Sequence, residues 1–170
     1  MNGLLKIYEV GPRDGLQNEA TRLTAAQKGQ LIDGLVEAGL RHIEATSFVN
    51  PHAVPQLADA DEVMAAAVER HAGEGVELVG LVFNERDFER ALAHGCRSMA
   101  FGAAVSETFS LRNTHNTARQ ALDTARVLVE RARQKGVRTR FYVMTGWICP
   151  FEGAISRTRR WPSPPQGMTA

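Results

Sequence analysis

The sequence is poor in cysteine and has no long apolar run. Its two cysteines, Cys96 and Cys149, lie far apart and form no Cys-x-x-Cys pair, which argues against a disulfide framework and a structural zinc site. No apolar stretch approaches the roughly 20 residues that span a bilayer. Neither sign of charge is in excess: 20 Lys and Arg against 19 Asp and Glu give a net charge of +1. We therefore expect no membrane and no nucleic acid as a partner.

The composition is that of a folded globular domain. Of the 170 residues, 44% are hydrophobic and 23% are charged, enough to bury a core. Residues 1–6 lead directly into a strand-like segment and show neither a signal-peptide core nor an Arg- and Ser-rich transit segment. The sequence therefore predicts a cytoplasmic protein.

Strand-like and helix-like segments alternate along the chain. The predicted strands are residues 6–10, 42–47, 76–83, 98–105 and 138–145. The predicted helices are residues 24–38, residues 59–71, a short helix that Asn84 caps and Gly95 ends, and residues 117–135. This alternation implies parallel strands. It fits both an open doubly wound sheet and a (β/α)8 barrel of which only a part is present.

The first predicted helix carries the clearest local signals. Thr24 and Gln27 have the spacing of a capping box at its start. Leu31, Leu35 and Ala38 share one side of the helix, and we expect that side to face the core.

Charged residues stand where the first two predicted strands end. Arg13 and Asp14 follow the first strand, and Glu44 lies within the otherwise apolar second strand. The carboxyl ends of parallel strands carry the active sites of such folds. A carboxylate there can bind a divalent cation, and a guanidinium can hold an oxyanion. A surface turn with an ion pair, and a purely structural Arg13–Glu44 salt bridge, remain the alternatives. Farther along, Ser106 and Glu107 end the fourth strand, where they either bind a polar substrate group or cap a helix.

Four segments together resemble the hydroxymethylglutaryl-CoA lyase family. They are residues 10–19 (VGPRDGLQNE), 43–51 (IEATSFVNP), 54–56 (VPQ) and 149–153 (CPFEG). The resemblance implies a (β/α)8 TIM barrel of which residues 1–155 supply the first five strands and four helices. It also implies Mg²⁺ or Mn²⁺, an acyl-CoA substrate, and cleavage of 3-hydroxy-3-methylglutaryl-CoA to acetyl-CoA and acetoacetate, a late step of leucine breakdown.

The same resemblance implies roles for individual residues. Asp14 would be a metal ligand, Arg13 would stabilise the enolate of the departing acetyl thioester, and Glu44 would be the acid beside them. Arg13, Gln17, Ser47 and Ser106 would contact the substrate.

The chain also departs from this family. The family's His-x-His metal pair, metal-binding Asn, further catalytic acid and mobile-loop Cys have no counterpart here. After Gly153 an Arg- and Pro-rich stretch begins, and we expect residues 156–170 to be a disordered tail that follows a truncation or frameshift. An open half-barrel exposes sheet edges, so we expect a homodimer and an inactive or impaired lyase. A related isopropylmalate or homocitrate synthase, or a non-catalytic assembly partner, are the alternatives.

Overall fold

The structure is a computed structural model that describes residues 5–156. The chain forms two compact units. Among the described residues, the first comprises residues 5–82 and Arg86–Met99, and the second comprises Phe83–Glu85 and residues 100–156. The predicted disordered tail lies outside the described residues, apart from Ser156.

The described residues form five α-helices and six strands. The helices are α1 (Ala25–Glu37), α2 (Ala60–Arg70), α3 (Glu85–Ala93), α4 (Glu107–Thr114) and α5 (Ala118–Gln134). The strands are β1 (His42–Ser47), β2 (Glu77–Leu81), β3 (Ser98–Ala104), β4 (Arg138–Met144), β5 (Ile148–Cys149) and β6 (Gly153–Ala154). A π-helical turn at Gly11–Gly15 and a 3-10 turn at Pro55–Leu57 complete the set. None of the helices in this part of the chain is long and apolar enough to cross a membrane.

The long strands follow one another in chain order. The sheet order is β1-β2-β3-β4, and β1 runs parallel to β2 with an irregularity between Glu44 and Thr46. A doubly wound sheet reverses its strand order at a switch point, whereas a barrel keeps chain order. The observed order is therefore that of a barrel.

The predicted first strand, residues 6–10, is a single bridge rather than a strand. Glu9 alone pairs in parallel with Ile43. Pro12 has no backbone N–H to donate, and the chain enters the π-helical turn at Gly11, so pairing stops there. The prediction of five strands in the sheet is thus corrected, for the described residues, to four strands and one bridge.

The predicted core face of α1 is wrong. Leu31 is 37% exposed, whereas Ile32 and Val36 are buried together with Lys28. The buried side follows i, i+4 spacing from Lys28, which reaches into the interior because it forms an ion pair with Asp59. The capping box of Thr24 with Gln27 is confirmed.

Two elements of the second unit were not predicted. Helix α4 begins after Ser106, whose hydroxyl accepts the Phe109 N–H, so the capping alternative for Ser106 is confirmed. The antiparallel pair β5–β6 forms a small hairpin at the end of the described chain.

Candidate active site

The π-helical turn presents two charged side chains where the bridge at Glu9 ends. The carbonyl of Val10 accepts the backbone N–H of Arg13 at 3.1 Å and that of Asp14 at 2.7 Å. This bifurcated contact places Arg13 and Asp14 next to β1, because Glu9 pairs with Ile43 in that strand.

Arg13 forms a nearly buried ion pair with the acid of β1. Its Nε donates to Glu44 Oε1 at 2.8 Å, and the side chains are 11% and 1% exposed. A buried carboxylate is costly unless a charged or hydrogen-bonding partner compensates for its lost hydration. Glu44 therefore fixes the orientation of the guanidinium. The prediction that Arg13 and Glu44 form a pair is confirmed.

Asp14 binds the same guanidinium from the solvent side. Arg13 Nη1 donates to Asp14 Oδ1 at 2.6 Å, and Gln17 Nε2 donates to the same oxygen at 3.3 Å. The Asp14 side chain is 52% exposed. The structure thus brings together four of the predicted site residues: Arg13, Asp14, Gln17 and Glu44.

Two polar groups of this cluster stay open. Arg13 Nη2 donates to none of the residues that the structure describes, and Asp14 Oδ2 accepts from none of them. A guanidinium held by two carboxylates, with one N–H pair still open, is suited to stabilising a negative charge that forms beside it.

A divalent cation would find one ligand here. Asp14 supplies a half-exposed carboxylate oxygen of the kind that Mg²⁺ and Mn²⁺ take. Within residues 5–156, however, no group of three His, Cys, Asp or Glu side chains could hold a metal ion. The described residues therefore fit one ligand position and do not complete a metal site.

Ser47, the predicted substrate contact at the end of β1, is buried. Its hydroxyl lies 3.4 Å from the carbonyl of Leu81, a long hydrogen bond. On the preceding residue, Thr46 Oγ1 is buried and has no hydrogen-bond partner among the described residues.

Ser106 lies in the second unit, inside a closed hydrogen-bond network. Its Oγ is 2.9 Å from Cys149 Sγ and donates to Glu152 Oε1 at 2.8 Å. The same carboxylate oxygen accepts the Thr108 N–H at 2.8 Å, so both residues cap α4, along with the bond to Phe109. Ser106 is fully buried. This network joins the hairpin to the start of α4.

The two cysteines show opposite shifts in acidity. Burial raises the pKa of the Cys96 thiol to about 11. Burial also opposes ionisation of Cys149, but the hydrogen bond with Ser106 and those from the Phe151 and Glu152 amides outweigh it and hold the pKa of that thiol below its ordinary value.

Comparison with known proteins decides the family. Residues 4–155 match the HMGL-like family. The chain belongs to the HMGL-like family. It is 41% identical over 152 residues to a hydroxymethylglutaryl-CoA lyase of Pseudomonas mevalonii, a match that covers 89% of this chain and 50% of that protein.

Solved structures agree with the HMGL-like assignment. The lyase of Pseudomonas aeruginosa superimposes with a TM-score of 0.81 at 42% identity, covering 88% of this chain and 49% of that one. A lyase of Acinetobacter baumannii in complex with coenzyme A and 3-methylmalate gives a TM-score of 0.84 at 35% identity, covering 92% and 50%. The chain spans about half the length of these relatives. The expected partial TIM barrel is thereby confirmed.

One residue of this HMGL-like cluster was missed by the sequence analysis. Glu9 lies two residues before the turn, and its Oε1 accepts the Gly11 N–H at 2.6 Å. Glu9 stands between Ile7 and Tyr8 on one side and Val10 on the other, and a carboxylate in that position could have singled it out.

Proposed function

We propose that this chain carries the enolate-stabilising part of a hydroxymethylglutaryl-CoA lyase-type carbon–carbon lyase. The observation that supports it best is Arg13, which two carboxylates hold while its Nη2 stays open. Family membership and relatives named hydroxymethylglutaryl-CoA lyase support the reaction type. Because the chain spans about half of those relatives, the whole reaction is part of the proposal.

The reaction explains why a fixed arginine is needed. The tertiary hydroxyl of 3-hydroxy-3-methylglutaryl-CoA loses its proton, and the adjacent carbon–carbon bond breaks as the new ketone of acetoacetate forms. The bonding electrons pass to the thioester, whose oxygen becomes the enolate oxygen; protonation at carbon then yields acetyl-CoA. In the proposed complex, Arg13 Nη2 donates to this enolate oxygen. Such a preorganised donor contributes roughly 3–4 kcal/mol to lowering the barrier.

Glu44 and Asp14 take different parts. Glu44 is buried and keeps the guanidinium in one orientation, so little reorganisation is needed when charge develops. Asp14 is half exposed and would be one ligand of a Mg²⁺ or Mn²⁺ ion, which would supply Lewis-acid polarisation of the substrate oxygens. Substrate contacts from Gln17, Ser47 and Ser106 stay predictions.

The remaining expectations belong to the same proposal. An acyl-CoA substrate is supported by the coenzyme A complex of the Acinetobacter baumannii lyase. A place in leucine breakdown, a cytoplasmic location and a homodimer stay predictions from the sequence.

A hybrid enzyme tests the proposal. In it, residues 4–155 of this chain replace the matching part of the Pseudomonas aeruginosa lyase, which supplies the other half. We expect the hybrid to release acetoacetate from 3-hydroxy-3-methylglutaryl-CoA in the presence of Mn²⁺, measured by coupled oxidation of NADH. A folded hybrid that releases none would contradict the proposal.

A substrate panel separates the lyase from its relatives. The hybrid is offered acetyl-CoA with several 2-oxo acids, and free coenzyme A is measured. Condensation faster than cleavage would identify a synthase instead. The unmodified chain, assayed alongside, is expected to turn over little or not at all, since the described residues offer a cation one carboxylate ligand.

A further inference from the structure

Glu9 forms hydrogen bonds both to the strand that carries Glu44 and to the turn that carries Arg13. Its backbone is fixed to β1 by two hydrogen bonds: the Glu9 N–H donates to the His42 carbonyl at 2.9 Å, and the Glu9 carbonyl accepts the Glu44 N–H at 2.8 Å. The second bond holds the backbone of Glu44 itself. The position of the buried acid is therefore tied directly to Glu9.

The side chain of Glu9 binds the turn that carries Arg13. Its Oε1 accepts the N–H of Gly11, the first residue of the π-helical turn, at 2.6 Å. A hydrogen bond to a carboxylate is stronger than one between neutral groups. Arg13 is two residues farther along this turn. The carboxylate of Glu9 therefore fixes the backbone from which the Arg13 side chain extends.

Gly11 has a specific reason to be glycine. A Cβ built on it would lie 2.8 Å from Glu9 Oε1 and 3.7 Å from Glu9 Cδ, and it would meet no other atom within 4 Å. Its φ is not in the left-handed region, so the backbone alone does not demand glycine. The missing side chain leaves room for the carboxylate of Glu9.

We propose that Glu9 is a positioning residue: its carboxylate anchors the start of the Gly11–Gly15 turn so that Arg13 stays bonded to Glu44. Its importance for catalysis rests on the proposed function, but its effect on the Arg13–Glu44 contact does not. Gly11→Ala should act through Glu9, because the atom in its way is the far end of a flexible side chain that can move aside.

Exchange of the Arg13 Nε–H proton reports the contact directly. The full chain is labelled with ¹⁵N-arginine, the Arg13 signal is assigned by its loss in Arg13→Lys, and solvent exchange is followed by NMR. We expect Glu9→Ala and Gly11→Ala each to speed exchange by about tenfold or more, the effect of weakening a hydrogen bond to a charged group. Glu9→Gln keeps an oxygen acceptor for the Gly11 N–H and should stay within about threefold of the parent.

The double variant sharpens the test. Once Glu9→Ala has removed the carboxylate, a Cβ at Gly11 meets nothing within 4 Å, so adding Gly11→Ala should change exchange little further. Multiplicative effects of the two substitutions, or unchanged exchange in Glu9→Ala, would overturn the proposal. Thermal unfolding shows which variants are folded, and Gly11→Ala serves as the test if Glu9→Ala is not. The readout needs no turnover, so an inactive hybrid would count against the proposed function alone.

Discussion

The two units contain polar clusters of opposite character. In the first unit, Arg13 joins two carboxylates and the cluster stays open on one side, since Asp14 is half exposed. In the second unit, Ser106, Cys149 and Glu152 close on each other and on the start of α4. The first has charge, exposure and an open donor, as a reacting site needs, whereas the second uses its hydrogen-bonding groups to join a hairpin to a helix.

Family motifs alone would not have separated these clusters. Residues from both appear in segments that resemble hydroxymethylglutaryl-CoA lyase, and Ser106 was predicted to contact substrate alongside Arg13. Burial and the number of hydrogen bonds distinguish them. Substitutions in the open cluster and in the closed network should therefore have different effects.

Removing Arg13 should have the largest effect on stability. Arg13→Met is expected to lower the free energy of unfolding by roughly 3 kcal/mol, because the buried Glu44 loses its guanidinium partner. Urea unfolding at pH 7 measures this change, and adding Glu44→Leu should restore part of it.

An exposed ion pair of equal length provides the control for Arg13. Arg119 Nε lies 2.8 Å from Asp123 Oδ2, the same distance as in the Arg13–Glu44 pair, but its side chain is 71% exposed. Arg119→Met should therefore cost at most about 0.5 kcal/mol. Equal losses in the two variants would mean that burial does not distinguish the pairs.

The cysteine of the first unit should make the protein sensitive to alkali. The folded pKa of Cys96 is raised from 9.0 to about 11, so its stabilising effect is complete below pH 9 and is lost as pH rises through 11. Two pKa units correspond to roughly 3 kcal/mol. In Cys96→Ala the decline of the unfolding free energy between pH 9 and 11 should be shallower by about that amount, measured by urea unfolding across pH. Parallel pH curves for the two proteins would contradict the assignment.

A smaller loss is expected in the closed network. Ser106→Ala should cost about 1–2 kcal/mol, the usual effect of removing a helix cap. Ser110 lies one turn along α4, and its Oγ is buried with no partner among the described residues, so Ser110→Ala should be neutral or stabilising. Thermal unfolding measures both. If Ser106 contacts substrate, as the sequence resemblance implies, Ser106→Ala in the hybrid should raise KM as well.

Asp14 should matter less for stability than Arg13 or Ser106. It is half exposed and pairs at the surface side of Arg13, so Asp14→Asn should change the unfolding free energy by less than about 1 kcal/mol. The same substitution in the hybrid enzyme should weaken Mn²⁺ binding, measured by electron paramagnetic resonance. A loss of stability as large as that of Arg13→Met would contradict the half-exposed position of Asp14 in this cluster.

Local signals made much of the fold predictable. Strand β1 has the predicted bounds, and α1 begins where the Thr24–Gln27 capping box predicts. Its buried side could not be predicted, because Lys28 is buried through contacts with Gln56 and Asp59, which lie 28 and 31 residues away. Tertiary pairing overrode the pattern of Leu31 and Leu35.

The candidate site was predictable where burial demanded a partner. Glu44 within an apolar strand needs a cation, and Arg13 stands at the end of the neighbouring segment, so their pairing follows from elementary electrostatics. The hydrogen bonds of Ser106 with Cys149 and Glu152 could not be predicted from the sequence, because these residues are 43 and 46 positions away. The contact of Glu9 with Gly11 is local, but it depends on backbone geometry that no residue pattern encodes.

We propose that Arg13 stabilises charge that develops only during bond cleavage. The most direct test is the rate of acetoacetate release by the hybrid enzyme with Arg13→Gln. A donor that acts only in the transition state should lower kcat by about 100- to 1000-fold with little change in KM. A kcat within about threefold of the parent hybrid, or an effect confined to KM, would contradict the account.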